Sequence, residues 1–316
     1  GKLNAFEWKL AMTTFVFGHK SPDTDTTGAA LIWAWYLNET GTDAAARLLG
    51  EPNTEAAFVL KRWSFEQPEI IADVEDDQDV VIVDTNNPAE LPANINNANV
   101  TAIIDHHKLV GGLETKGPID ITIRPVACTV TIMFDLMGDL AAKMPENIKG
   151  AMLSCIISDT LEFRSPTTTA QDTELAEKLA ADLGISIPEY AAEMFAAKSD
   201  VSRFSDAELL RMDSKKYGVG DTKLRVSVLE TTTPATVLDR KDSIMESMET
   251  VASEDGVDQV LLFVVDILKE EATMLIPNDL TKSVAEKSFS TTVSGDTVVL
   301  PGVVSRKKQI IPSLAV

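Results

Sequence analysis

The chain predicts an α/β protein, with an N-terminal doubly wound parallel-sheet domain followed by a smaller C-terminal α+β domain. Three observations carry that expectation. Over roughly the first 195 residues, short apolar runs alternate with stretches of helical character. Two of those runs, Val80-Val81-Ile82-Val83 and Ala102-Ile103-Ile104, are apolar at every position, as strands covered on both faces of a parallel sheet must be. A total of 316 residues is also long for a single hydrophobic core.

In chain order, a first strand ends near Val16, and an Ala-, Leu- and Trp-rich helix is expected over Thr27 to Leu37. Pro52-Asn53 opens a second helix running to Trp63. The strands at 80–83 and 102–104 follow. Further helical signals lie near Thr129–Met137, Asn147–Ile157, Thr169–Leu183 and Pro188–Ala197. The pattern weakens around Lys198-Ser199-Asp200-Val201-Ser202-Arg203, where a linker fits. Strand signals then return at Leu224–Leu229, Gln259–Val265 and Thr297–Leu300, with one helix from Ala235 to about Ala252 and a basic tail. The expected division is 12–197 for the first domain, 198–205 for the linker and 206–316 for the second. Residues 1–11 read as an extension ahead of the first strand. Glu7 and Lys9 deny them the apolar core of a signal peptide.

Histidine is the most informative residue type. His19, His106 and His107 are the only three, and each lies in a carboxylate-bearing cluster that directly follows an apolar run. One cluster is Gly18-His19-Lys20-Ser21-Pro22-Asp23-Thr24-Asp25, and the other is Asp105-His106-His107. Asp84 ends the run 80–83, and Asp159 follows Cys155-Ile156-Ile157-Ser158. A lone histidine in such a place would be a core or capping residue. Three beside five aspartates, all expected beyond the carboxyl ends of strands, read as one site. Imidazole and carboxylate together are the donor set of zinc, manganese, iron or cobalt, and the chemistry implied is metal-dependent hydrolysis.

Composition narrows the partners. A formal charge of −21 repels a nucleic-acid backbone and an anionic membrane alike. No apolar run reaches the ~18 residues of a membrane span. Cys128 and Cys155 are the only cysteines, and two reduced thiols suit a cytoplasmic protein.

The segments Gly18-His19-Lys20-Ser21-Pro22-Asp23-Thr24-Asp25-Thr26, Val83-Asp84, Ile104-Asp105-His106-His107-Lys108 and Ile157-Ser158-Asp159-Thr160 resemble, in order, the motifs of the Asp-His-His phosphoesterase superfamily. Ser305-Arg306-Lys307-Lys308-Gln309-Ile310-Ile311-Pro312 is similar to the C-terminal signature of its family II, manganese-dependent, inorganic pyrophosphatases. The resemblance runs from about Thr14 to Pro312.

It implies a homodimeric enzyme with its active site in the cleft between two domains. Pyrophosphate would be hydrolysed by a metal-bridged water or hydroxide. His19, Asp23 and Asp84 would hold one Mn²⁺ or Co²⁺. Asp25, Asp84, His106 and Asp159 would hold a second, with further Mg²⁺ arriving with the substrate. His107 and Asp105 would orient ligands or assist the leaving phosphate, and Lys215, Arg306 and Lys307 would bind the phosphates. Lys216 is adjacent to Lys215, and either could be the reaching residue.

One departure stands out. Asp84-Thr85-Asn86 replaces the family's Asp-His-Asn or Asp-His-Ser. The alternative function is a superfamily phosphoesterase acting on oligonucleotides, cyclic dinucleotides or polyphosphate. Those relatives carry a Gly-Gly-Gly-His type motif in the second domain, and this chain has no histidine after His107.

Overall fold

The computed structural model describes residues 1–2, 4–5 and 13–316. The expected domain start at Met12, and most of the extension before it, lie outside the described residues. The chain forms two compact units, 1–197 and 198–316.

The first unit is built on a six-stranded, wholly parallel sheet. Its strands are β1 (Thr14–Phe17), β2 (Ala44–Leu48), β3 (Glu69–Ile70), β4 (Asp79–Val83), β5 (Asn99–Asp105) and β6 (Asp120–Ile123), in the order β3-β2-β1-β4-β5-β6. From β1 the chain winds outward one way to β3, then returns to β4 and winds the other way. The switch point therefore lies between β1 and β4, where Phe17 pairs with Ile82, and such sheets bind ligands beyond the strand ends there. Residues 80–83 are almost wholly buried, as their unbroken apolar run requires.

Helices α1 (Thr24–Glu39), α2 (Thr54–Arg62), α3 (Thr129–Met137), α4 (Glu146–Thr160), α5 (Ala170–Leu183) and α6 (Ile187–Lys198) accompany the sheet. Helix α1 starts three residues earlier than the sequence suggests. Asp23 caps it, accepting from the Thr26 amide at 2.9 Å, so Asp25 falls in the first helical turn. Helices α1 and α4 approach closely at Gly28, where a Cβ would lie 2.3 Å from the Cys155 sulfur.

The second unit carries β7 (Ser214–Val219), β8 (Thr222–Thr231), β9 (Gln259–Asp266), β10 (Glu271–Leu275) and β11 (Thr297–Pro301), ordered β11-β10-β9-β8-β7. Only β8 and β9 run parallel. Each face of this mixed sheet has its own core. One includes Leu224, Val226, Phe263 and Ile310; the other includes Leu210, Ile244, Met248 and Leu262. The helices are α7 (Asp206–Met212), α8 (Ala235–Leu238), α9 (Lys241–Asp255) and α10 (Asp279–Phe289). The single helix expected from Ala235 to Ala252 is thus two. Arg240, at the break, donates to the carbonyls of Val201 and Phe204 and to Asp206, which ties the segment after α6 into the second unit. No helix of the described residues is long and apolar enough to cross a membrane.

Candidate metal centre

Parallel pairing of β1 with β4 and β4 with β5 brings three strand ends side by side, carrying His19, Asp84 and the Asp105-His106-His107 run. Gly18 allows the first approach. A Cβ there would lie 2.5 Å from Thr26 and 2.9 Å from the Val83 carbonyl, so a larger residue would push β1 from β4. Asp84 adopts φ 61°, a left-handed conformation that aspartate tolerates better than most residues. Its carboxylate is fixed at both oxygens. Thr26 donates to Oδ2 at 2.6 Å and Thr129 to Oδ1 at 3.0 Å.

Around Asp84 the other groups converge. His19 Nε2 lies 3.5 Å from Asp23 and 3.4 Å from Asp84, while its Nδ1 faces the Lys20 carbonyl at 2.7 Å. A carbonyl only accepts, so Nδ1 carries the proton and Nε2 is left to serve as a ligand. His106 repeats the arrangement. Its Nδ1 faces the Val126 carbonyl at 3.1 Å, and its Nε2 lies 3.5, 3.2 and 3.5 Å from Asp25, Asp84 and Asp159. The first turn of α3 holds Asp25 through the Cys128 thiol and the Thr129 amide. Donor atoms of Asp25, Asp84, His106 and Asp159 fall within 4.8 Å of one another, as do those of His19, Asp23 and Asp84.

Charge balance explains what such a cluster needs. Burial, reinforced by the Asp84 charge, raises the Asp25 carboxyl to about 6. Burial and Asp25 push Asp159 well above the usual carboxylate range. Asp84 goes the other way: burial would raise it, but hydrogen bonds to His106 and His19 hold it well below that range. For the imidazoles, burial would lower the pKa, yet their carboxylate neighbours carry His19 to about 12 and His106 to about 11. Two imidazoles face four carboxylates, and Asp159 Oδ2 is buried with no hydrogen-bond partner. An orphaned buried acceptor amid like charges fits a cation. The N/O donor set suits a divalent transition metal.

His107 lies at the exposed edge of this cluster, its Nδ1 3.9 Å from Asp84. Its Nδ1 is 2.7 Å from Asp105 Oδ1, its ring centre lies 4.2 Å from that of His106 with the planes tilted by 45°, and about half of its side chain is exposed. Asp105 also accepts from the His106 amide and from Asn86 Nδ2, so it fixes the His107 ring and the backbone of the histidine pair. Asp84, His106 and His107 also lie within one donor cluster, but the 2.7 Å contact commits the near nitrogen of His107 to Asp105. Thr85, which stands where the family pattern has a histidine, is buried and donates to Glu90 at 2.7 Å.

The expectation that every candidate ligand follows a strand needs correction. His19, Asp84 and His106 follow strands, but Asp23 caps α1, Asp25 lies in its first turn, and Asp159 lies in the last turn of α4. Cys155-Ile156-Ile157-Ser158 belongs to the helix whose signal covers Asn147–Ile157, so the apolar run before Asp159 is helical and not a strand. Thr129 holds Asp84 and Asn86 holds Asp105, roles for which an isolated Thr or Asn beside an apolar run has no distinctive spacing.

In the second unit, Lys215 pairs with Val226 and Lys216 with Arg225, so the two lysines point to opposite faces of the sheet. Lys216 donates to the Asp255 carbonyl at 2.9 Å. Lys215 shares the face of Val226 and of the core containing Ile310, the apolar anchor of the basic tail. Arg306 donates to the Asp213 carbonyl and pairs with its carboxylate at 2.8 Å. Lys307 is exposed.

A model of the DHH family N-terminal domain matches residues 13–158, and a DHHA2 domain model matches 192–315. Together these define a two-domain protein of the DHH/DHHA2 class. A Lactobacillus acidophilus protein described as "Probable manganese-dependent inorganic pyrophosphatase" is 37% identical over 302 residues, covering 95% of this chain and 97% of its own. A Deinococcus radiodurans protein of the same description is 40% identical over 305 residues, covering 95% and 96%. Among solved structures, a Methanococcus jannaschii "putative family II inorganic pyrophosphatase" superposes with TM-score 0.71 at 34% identity, covering 95% and 97%. The chain belongs to the family of manganese-dependent, family II inorganic pyrophosphatases.

Proposed function

We propose that this protein hydrolyses inorganic pyrophosphate to two phosphates, using two divalent transition-metal ions, Mn²⁺ or Co²⁺. The carrying observation is the pair of overlapping donor sets that share Asp84. On this reading His19 and Asp23 complete one set, Asp25, His106 and Asp159 complete the other, and Asp84 serves both. Ions held there would supply a water of lowered pKa and offset the charge of the phosphates. The protein's own task is then to position and neutralise, since phosphoryl transfer asks little covalent chemistry of it. Asp105 holds the Nδ1 proton of His107 and raises that imidazole above its ordinary range, which leaves Nε2 to donate a proton to a leaving phosphate oxygen.

The second unit supplies the substrate grips. Arg306, whose terminal nitrogens are held by Asp213, would exchange those contacts for two phosphate oxygens through its planar fork, and Lys215 and Lys307 act as point charges. Lys215 is favoured over Lys216 because it shares the sheet face of the core that includes Ile310 of the basic tail. Further Mg²⁺ arrives with the substrate, and a homodimer is the expected assembly. The test is phosphate release from pyrophosphate, triphosphate and a dinucleotide, each with Mn²⁺, Co²⁺ or Mg²⁺. Preferred release from pyrophosphate with Mn²⁺ or Co²⁺ is expected. Release from the dinucleotide but not pyrophosphate would overturn the reading.

A further inference from the structure

Glu55 is a buried carboxylate to which the chemistry above gives no task. It lies in the first turn of α2, is 1% exposed, and has an Oε2 with no hydrogen-bond partner. Its other oxygen is shared. Oε1 accepts from the Thr24 hydroxyl at 2.6 Å and also from the Ser158 hydroxyl. Thr24 immediately precedes Asp25 in the first turn of α1, and Ser158 immediately precedes Asp159 in the last turn of α4. One carboxylate oxygen therefore ties together the two helix ends that bear the candidate ligands coming from helices rather than strands.

Beside Glu55, the Cys155 thiol of α4, which donates to the Thr24 carbonyl at 3.4 Å, links these two helix ends. His19, Asp84 and His106 are registered by the hydrogen-bond ladder of the sheet, which sets their spacing through the backbone. Asp25 and Asp159 have no ladder between them. Gly28 also packs against Cys155, but both of these contacts reach α4 one turn short of Asp159. The start of α2 is anchored to the same region, because the Asn53 amide donates to the Pro22 carbonyl at 2.9 Å and the Asn53 side chain caps the helix. Glu55 is thus held on a fixed platform.

We propose that Glu55 is a positioning residue for the ion held by Asp25, Asp84, His106 and Asp159: by accepting from Thr24 and Ser158 at one oxygen, it sets the distance between Asp25 and Asp159. This rests on the reading of those residues as metal ligands. Glu55 touches neither ion nor substrate. Its removal relaxes the four-residue set, whereas His19 and its partner Asp84 keep their strand-end positions.

The experiment is calorimetric titration of the metal-stripped, full-length protein with Mn²⁺ alone. His19→Ala identifies which binding phase belongs to which donor set. Glu55→Ala is expected to weaken the four-residue site by ~10–100-fold, the usual effect of losing a group that orients a ligand, while the other phase stays in place. Glu55→Gln keeps an Oε1 acceptor for both hydroxyls and is expected to recover most of the affinity. Ser158→Ala, which cuts only the tie to α4, should weaken the same phase and answers the question if Glu55→Ala fails to fold. Equal weakening of both phases, no weakening, or a Glu55→Gln variant as impaired as Glu55→Ala would each overturn the positioning role. A His106→Ala control that still binds two Mn²⁺ ions would instead bring down the ligand reading itself, and the role of Glu55 with it.

Discussion

At the scale of single residues, ligands and substrate grips should separate. His106→Ala removes the one nitrogen that lies within 3.5 Å of Asp25, Asp84 and Asp159, so metal content and activity should fall together. Arg306→Ala lies in the other unit and should leave metal content intact while raising KM for pyrophosphate. Metal analysis beside steady-state kinetics decides this, and full metal content in His106→Ala would contradict the assignment. Protons provide a second test. His19 and His106 are raised to about 12 and about 11 by their carboxylate neighbours, against the opposing effect of burial. A raised folded-state pKa contributes stability below the unfolded value of about 6.5, and that contribution is lost as pH rises through about 11 and about 12. At neutral pH both imidazoles of the metal-stripped protein therefore hold an extra proton, which a metal must displace. Mn²⁺ binding should release protons and tighten as pH rises, and calorimetry in buffers of different ionisation enthalpy would measure it. Binding without proton release would contradict that electrostatic picture. The strand-end histidines were legible in the sequence because each follows an apolar run within a short motif. Asp25 and Asp159 stood out as candidate ligands, but their places in the first turn of α1 and the last turn of α4 did not, and Thr26 and Thr129 act through hydroxyls whose direction only the folded chain reveals.

At the scale of elements, α4 meets α2 through a contact that leaves no slack. A Cβ at Gly150 would lie 2.1 Å from the Trp63 ring. That ring cannot swing aside easily, because Trp63 is buried and its indole donates to the Tyr190 hydroxyl at 2.8 Å. Tyr190 is in turn hydrogen-bonded to Ser154, one turn along α4. Gly150→Ala should therefore destabilise the protein by about 1–3 kcal/mol, the usual range for an overpacked core. A denaturant midpoint unchanged from the parent would show that the helices part more freely than the contact suggests. The strands the sequence concealed have physical reasons for doing so. Ala44–Leu48 is composed mostly of good helix formers, and only Leu48 is fully buried. Glu69–Ile70 is two residues long, and Asp120–Ile123 is an edge strand with no buried residue. Strands 80–83 and 102–104 were visible because burial on both faces leaves no room for polar interruptions. The break at Arg240 was invisible because its cause, two carbonyls and a carboxylate near 201–206, lies far away in sequence.

At the scale of the whole molecule, the alternation of apolar runs and helices made a parallel sheet legible, but not its strand order, which depends on the sense in which the chain turns after β3. The candidate metal centre belongs wholly to the first unit, so removing metal should affect that unit most. A ligand that binds only the folded state stabilises it by about 2.7 kcal/mol at a free concentration one hundred times its Kd. Chelation should lower the melting temperature, and hydrogen exchange should speed up around His19, Asp84, His106 and Asp159 while β9 of the second unit keeps its protection. Uniform loosening of both units would show that the metal centre supports the entire chain rather than its own domain.

The distribution of these residues along the chain also has a consequence for how the protein is made. All six candidate ligands lie between His19 and Asp159, within the unit that ends at Ala197, whereas Lys215, Arg306 and Lys307 come later. Domains fold as units during synthesis, the N-terminal one first. A ribosome thus delivers the complete donor set before it has made any residue proposed to hold substrate, and the order of translation allows the nascent chain to take up its ions before it can act on anything.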